Sequence, residues 1–318
     1  MTHTDHAAPA TEDASDDADA TASAENAQAT VDAAIAAFAR GDPVCIHDAA
    51  DREGETDIVY PASGVDAPAV RRMRNDAGGL VCVALADDVA AAYDLPFAQD
   101  VIDHDLAADH DLGYDERSSF SLTVNHVDTF TGITDDDRTL TITRLADAAA
   151  DARAGDAAAF DFASEFRAPG HVHLLRAAPD LTAQREGHTE LALELADAAG
   201  VAPAAVVCEM LDDQTGGATT PTDARTYADR EGIPYVEGSD LVAALRVYPP
   251  HEFVRGAEGI RDARLLELLA KRIVKILLQL VVFEAKVSFF PGVPLENSLV
   301  VRRVLGCSVF ADEEDGAL

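Results

Sequence analysis

Lysine is nearly missing from this chain: its three lysines, Lys271, Lys275 and Lys286, all lie beyond residue 270. Basic residues number 24 against 58 acidic ones, giving a formal net charge of −34 over 318 residues. So negative a surface repels nucleic acid and anionic membranes, and both drop out as partners. Cysteine is scarce too. Cys45, Cys82, Cys208 and Cys307 stand far apart without a Cys-x-x-Cys pair, which argues against a disulfide framework or a thiolate zinc site and for a reducing, cytoplasmic setting. Cys82 sits in the strand-like run Leu80-Val81-Cys82-Val83 and reads as a buried thiol. Long apolar runs are lacking as well: residues 276–283 are interrupted by Gln279 and flanked by charge, well short of the roughly 20 residues that span a bilayer.

Composition divides the chain into three. Residues 1–30 are rich in Ala, Asp, Thr and Ser with almost no large apolar side chain. Such a segment buries too little to offset its ordering entropy and lacks the apolar core of a signal peptide, so it reads as a disordered acidic segment. Residues 31–245 suffice for one domain with a substantial core. Residues 246–318 carry all the lysines and form a C-terminal extension of open role. Within the middle part, the patterns predict helices over 31–40, 67–74 and 222–231 and from Thr189. Strands are predicted at Val44, Leu80, 120–124, 140–143, Ala204 and near Tyr235. Helices packed against a mixed sheet, an α+β domain, follow.

Two clusters carry chemistry. Arg185-Glu186-Gly187-His188-Thr189-Glu190 precedes an apolar-periodic run. Thr189 reads as a helix N-cap, where free N–H groups and the dipole favour an anion, and Arg185 adds a fork suited to phosphate. His188 beside it could ligate a divalent metal. The plainer reading is a capped surface helix. The apolar run Val44-Cys45-Ile46 feeds Asp48-Ala49-Ala50-Asp51-Arg52-Glu53-Gly54-Glu55-Thr56-Asp57. Carboxylates crowded at a strand end suit hard-metal ligation or acid/base work, although an acidic loop is common in so acidic a chain. The pairs His47-Asp48, His104-Asp105 and His110-Asp111 suggest a metal-dependent His-Asp phosphohydrolase as an alternative. A solvated loop between residues 86 and 119 competes with that reading. A third possibility is a non-catalytic sugar-phosphate or metal-binding protein.

Five motifs stand in one order: residues 51–57, Phe130-Thr131-Gly132-Ile133-Thr134, Phe166-Arg167-Ala168-Pro169-Gly170-His171-Val172, residues 185–190 and Cys208-Glu209. In this the chain resembles the 3,4-dihydroxy-2-butanone 4-phosphate synthase family of riboflavin biosynthesis, and Asn125-His126-Val127-Asp128-Thr129 is similar to its archaeal branch. The family commonly has an aromatic and then proline where this chain has His173-Leu174. The resemblance implies a compact three-layer fold and conversion of D-ribulose 5-phosphate to L-3,4-dihydroxy-2-butanone 4-phosphate and formate. It further implies two Mg²⁺ ions per site, with Mn²⁺ as a substitute, and a homodimer with the active site near the subunit interface. Glu53 and His188 match the metal ligands. Arg52, Glu53 and Asp57 match substrate-binding positions of the acidic motif, and Arg185, Glu186, Gly187, His188 and Thr189 match the phosphate-binding segment. Glu209 matches the proton-transferring carboxylate, and His171 a residue near the phosphate or the migrating centre. Glu55 is either a base or a holder of metal-bound water. Thr131 is either a substrate contact or a turn residue between two strands.

The carboxylate excess with so little lysine is the composition of a halophile's protein, since the Debye length falls to ~3 Å at 1 M salt and screens self-repulsion. Thermal melts should therefore rise steadily from low to multimolar KCl. A flat melting temperature would remove the halophile reading.

Overall fold

Short runs of alternating apolar residues build the centre of the molecule. The computed structural model describes residues 14–247 apart from 50, 51, 108–111, 114 and 116, with side chains from residue 25 on. The expectations for Asp51, His110, Asp111, Cys307 and the extension from residue 248 lie outside the described residues. The strands are β1 (Val44–His47), β2 (Thr56–Pro61), β3 (Cys82–Leu85), β4 (Phe120–His126), β5 (Phe166–Arg176), β6 (Ala204–Glu209) and β7 (Tyr235–Glu237). The helices are α1 (Ala14–Ala39), α2 (Ala67–Asp76), α3 (Asp87–Ala92), α4 (Ala98–Val101), α5 (Asp135–Arg153), α6 (Phe162–Glu165), α7 (His188–Ala199), α8 (Pro221–Glu231) and α9 (Gly238–Val247). One mixed sheet runs in the order β4-β5-β3-β6-β2-β1-β7.

Side-chain alternation explains the three layers. Val44, Ile46, Val59, Ala205 and Val207 pack with Phe38 of α1, Leu191 and Leu195 of α7 and Leu241 of α9. Their neighbours Cys45, Ile58, Tyr60, Val206 and Cys208 point the other way, to Val70 and Met73 of α2, Ile142 and Leu145 of α5 and Tyr227 of α8. Successive residues of a strand face opposite sides, so each short run serves both helix layers. The compact three-layer α+β arrangement is thus what the residues build, and Cys82 is buried within it.

Three local expectations are corrected. Residues 140–143 are helical, inside α5. Their β-branched residues mimic a strand, but Thr134 caps the helix by accepting from Asp137 N at 3.1 Å, and Ile142, Leu145 and Ala149 recur at helical spacing on the buried face. Thr131 accordingly lies between a strand and a helix. The helix predicted from residue 31 begins at Ala14, so residues 14–30, placed in a disordered segment, are helical. Alanine, the best helix former, dominates there, while Val31 is the first buried residue among the described side chains. The cap of α7 lies two residues earlier than expected: Gly187, with φ −92° and ψ 167°, is its N-cap, and Thr189 lies in the first turn.

Strand β5 was not foreseen because Pro169 and Gly170 interrupt it. Gly170 is required there, since a Cβ would collide with the Val124 backbone of β4 next to a register shift at Val124/Asn125. Gly170→Ala should cost about 2 kcal/mol and lower Tm by on the order of 5 °C. Denaturant and thermal unfolding check this, and unchanged stability would show that β4 yields freely.

Candidate active site

Asp48 organises the acidic loop. Its side chain is fully buried just past β1 and accepts from Glu55 N at 3.0 Å, Glu53 N at 3.4 Å and Arg52 Nη1 at 3.0 Å. His47 Nδ1 donates to the Glu55 carbonyl at 2.8 Å, so this histidine is spent on holding the loop. Gly54 adopts φ +68° in the turn, a conformation that glycine enters without steric cost. The loop then runs into β2, where register sets Asp57 opposite Glu209 of β6. Like charges directly opposed on a sheet destabilise it unless something intervenes.

The group set against Asp57 is His188, in the first turn of α7. Its Nδ1 lies 3.5 Å from Glu53 Oε2 and its Nε2 3.5 Å from Asp57 Oδ1. Burial alone would lower its pKa, but the carboxylates of Asp57, Glu53 and Asp48 outweigh burial and raise it to about 9. Glu53 shows the reciprocal effect: burial favours its neutral form, yet His188 and Arg52 hold it at about 2. Asp57 is pushed up to about 8, by burial first and then by Glu209, Glu53 and Glu55, against the opposing pull of His188. Glu55 is raised by burial, then by Glu53 and Glu209.

Two observations show that these residues suit a divalent cation. Oxygens of Asp48 and Glu53 and a nitrogen of His188 lie within 4.8 Å of one another. The buried Asp57 Oδ1 and His188 Nε2 have no hydrogen-bond partner among the described residues. Carboxylate oxygens and one imidazole form a hard donor set of the kind Mg²⁺ accepts while keeping waters.

Arginines flank the same helix end. Gly187 leaves the N-terminus of α7 without a side-chain cap, so its N–H groups are available to an anion. A Cβ at Gly187 would come within 2.6 Å of Arg185 Nη1 and 2.8 Å of Arg52 Nη2, so both guanidiniums cross the helix start because this residue is glycine. Arg185 Nη1 donates to Glu190 at 2.6 Å, and Arg185 Nε pairs with Asp115. Arg52 Nη2 reaches Glu53 and Asp115, each at 3.1 Å.

A cavity of about 370 Å³ joins these parts, lined by Arg52, Glu53, Glu55, Asp57, Arg185, His188, Thr189 and Glu209 together with Cys82, Arg117, Ser118 and Ser119. Four expected site residues are not among those that line it: Gly187, which sits just before His188 at the helix end, and Glu186, His171 and Thr131. Glu186 is paired with Arg246 at 2.7 Å on the surface. His171 and Thr131 belong to a second cluster around Asn125 of β4: His171 N donates to Asn125 Oδ1 at 2.8 Å, and Thr131 N donates to Asp137 at 3.1 Å. Among the described residues, the His47-Asp48 and His104-Asp105 pairs do not converge on a shared ligand group. His104 is exposed, its Nδ1 accepting from Leu106 N at 3.1 Å, far from the role of a shared ligand.

Asp48 was read only as one acid of the loop, and Glu190 and Asp115 were missed. Glu190 gave a signal, an acid on the apolar face of α7; it is wholly buried, accepting from Ala178 N at 2.9 Å. Asp115 gave none, because its partners lie 63 and 70 residues away.

The family model for 3,4-dihydroxy-2-butanone 4-phosphate synthase matches residues 32–244. A synthase of that name from Archaeoglobus fulgidus is 48% identical over 223 residues, covering 67% of this chain and 93% of the relative. One from Methanosarcina mazei is 42% identical over 228 residues, covering 69% and 92%. A crystal structure of a 3,4-dihydroxy-2-butanone 4-phosphate synthase in complex with two magnesium ions superposes with a TM-score of 0.58 at 28% identity, covering 69% of this chain and 98% of that one. The match spans the whole described domain and the fold recurs in proteins of one named activity, so the chain belongs to the 3,4-dihydroxy-2-butanone 4-phosphate synthase family.

Proposed function

We propose that this enzyme converts D-ribulose 5-phosphate to L-3,4-dihydroxy-2-butanone 4-phosphate and formate at the cavity between β2, β6 and the start of α7. The observation that carries this reading is the registered pair Asp57 and Glu209 facing Glu53 and His188. The two products together contain every atom of the substrate, so the site has only to move protons and exchange carbon–carbon bonds. Glu53 and His188 would hold Mg²⁺, two ions per site with Mn²⁺ as a substitute, which supply positive charge where a sugar oxygen becomes anionic. Arg52, Arg185 and the N–H groups at Gly187, His188 and Thr189 receive the phosphate. Asp57 accepts from a sugar hydroxyl. Glu209, at the carboxyl end of β6, transfers protons at the reacting carbons, and Glu55 assists as a base or by ordering water.

The active unit in this reading is a homodimer. His171 and Thr131 gather at Asn125, away from the cavity and beside Phe130 and Ile133, which are 93% and 50% exposed. Pairing two copies would cover those apolar side chains and bring His171 and Thr131 to the partner's substrate. Residues 31–245 constitute the synthase domain, working in the cytoplasm. No helix among the described residues is long and apolar enough to cross a membrane.

Incubation of the full chain with ribulose 5-phosphate and Mg²⁺ in high salt should release formate and the four-carbon phosphate in equal amounts. Glu53→Gln and His188→Ala should each lower turnover by at least about 10²-fold while the melting curve without metal stays cooperative. Near-normal turnover in either variant would remove the metal assignment, and no formate from the folded parent would leave only a binding protein.

Glu209→Gln preserves volume and much of the hydrogen bonding but removes the base. Turnover should fall by roughly 10²–10⁴-fold with ribulose 5-phosphate affinity, measured by calorimetry, nearly unchanged. Normal turnover would move proton transfer to Glu55 or Asp57.

A further inference from the structure

We infer that Asp115 sets the affinity and selectivity of the site for phosphate, its carboxylate acting as an internal anion that the substrate phosphate displaces from Arg52 and Arg185. This rests on the reading above that those two guanidiniums receive the phosphate. A single oxygen, Asp115 Oδ2, takes both: Arg52 Nη2 at 3.1 Å and Arg185 Nε. Asp115 is nearly buried, with 11% of its side chain exposed, and it reaches the arginines from the segment before β4, on the far side of the sheet order from β1 and β2.

The other acids on these arginines are of a different kind: Glu53 shares Arg52 Nη2 with Asp115 at 3.1 Å but belongs to the cluster around His188. Asp48 is tied to the N–H groups of the loop that carries Arg52, and Glu190 is tied to Ala178 N within the unit that carries Arg185. They fix the guanidiniums to the elements that carry them. Asp115 instead occupies donors at the point where the two forks meet, above a helix end that Gly187 leaves without a side-chain cap. A phosphate dianion needs the same converging donors, and it repels a carboxylate held there. Phosphate and Asp115 therefore exclude each other. Apparent affinity is the intrinsic affinity reduced by the fraction of molecules in which Asp115 has withdrawn.

Selectivity follows from the same exchange. A carboxylated sugar would trade one carboxylate for another at the arginines and gain little. A phosphate brings more charge and more acceptor oxygens than the group it replaces. Neutral sugars have nothing with which to displace Asp115.

The test is calorimetric titration of the full chain with orthophosphate at one fixed concentration of KCl and Mg²⁺, for the parent, Asp115→Asn, Asp115→Ser, Asp115→Glu and Arg185→Gln. The neutral variants should bind orthophosphate about three- to tenfold more tightly and show a KM for ribulose 5-phosphate lowered by a similar factor. Asp115→Glu, which restores the charge, should return toward the parent. Two neutral replacements guard against one that fails to fold. Unchanged or weaker orthophosphate binding in the neutral variants would overturn the proposal and make Asp115 a support for the arginines. Separately, Arg185→Gln binding orthophosphate as tightly as the parent would show that the phosphate lies elsewhere, whatever the Asp115 variants do.

Discussion

The site depends on one unfavourable juxtaposition, the placement of Asp57 directly across from Glu209 in the middle of a sheet. Two carboxylates on adjacent strands, one of them buried, repel each other in a medium that screens poorly. The register cannot slip to relieve this. Shifting β2 by one residue would turn Val59 away from α7 and Ile58 away from α2 and α5, emptying both helix layers at once. The core thus holds the acids in place, and His188, delivered by α7, is the group that opposes them. Glu53 adds a second carboxylate to the imidazole that already faces Asp57. An imidazole among several carboxylates is short of positive charge, which is why a divalent cation suits this cluster.

The second half of the site repeats the theme with the roles reversed. Arg52 and Arg185 cross the start of a helix whose own end is positive, and each is held by a buried acid, Asp48 or Glu190. Holding a guanidinium by one edge fixes the direction of the remaining N–H groups, because the fork is rigid. Lysine could not do this: an ammonium held by one carboxylate still swings about its stem. That argument applies to a chain without lysine before residue 271, where every cation that positions the cavity is an arginine or a histidine.

How much of this was legible in sequence depended on whether the signal was local. The run Val44-Cys45-Ile46 and the acids after it gave a strand and a site in the right order, because alternation and charge density are read within a few residues. Glu209 at the end of β6 was legible for the same reason. The segment at 140–143 misled because Thr and Ile favour strands in isolation, whereas the cap at Thr134 and the burial of Ile142 and Leu145 decided for helix. At Thr189 the residue type pointed to a cap, but glycine took that position so that two arginines could pass. A steric demand made by side chains 2 and 135 residues away leaves no trace in the local pattern. Asp115 was beyond reach on the same ground.

The charge of the whole chain and the charge of its site have opposite signs, and the geometry reconciles them. A net charge of −34 repels an anionic sugar phosphate at long range. Salt at 1 M would confine that repulsion to ~3 Å, so that the substrate would meet only the groups lining the cavity. Within that distance lie the guanidiniums of Arg52, Arg117 and Arg185, a helix N-terminus and His188, either as a protonated imidazole or, where neutral His188 and Glu53 hold them, with cations. Buried pairs are screened far less than exposed ones, so the salt that removes the outer repulsion leaves the inner attraction largely intact. The same reasoning explains why most acids at the site are paired to arginine, as Asp48, Glu190 and Asp115 are, or set against His188, as Glu53 and Asp57 are, with Glu55 and Glu209 lining the cavity beside them. An unpaired carboxylate there would act on the substrate at full strength, where no salt could screen it.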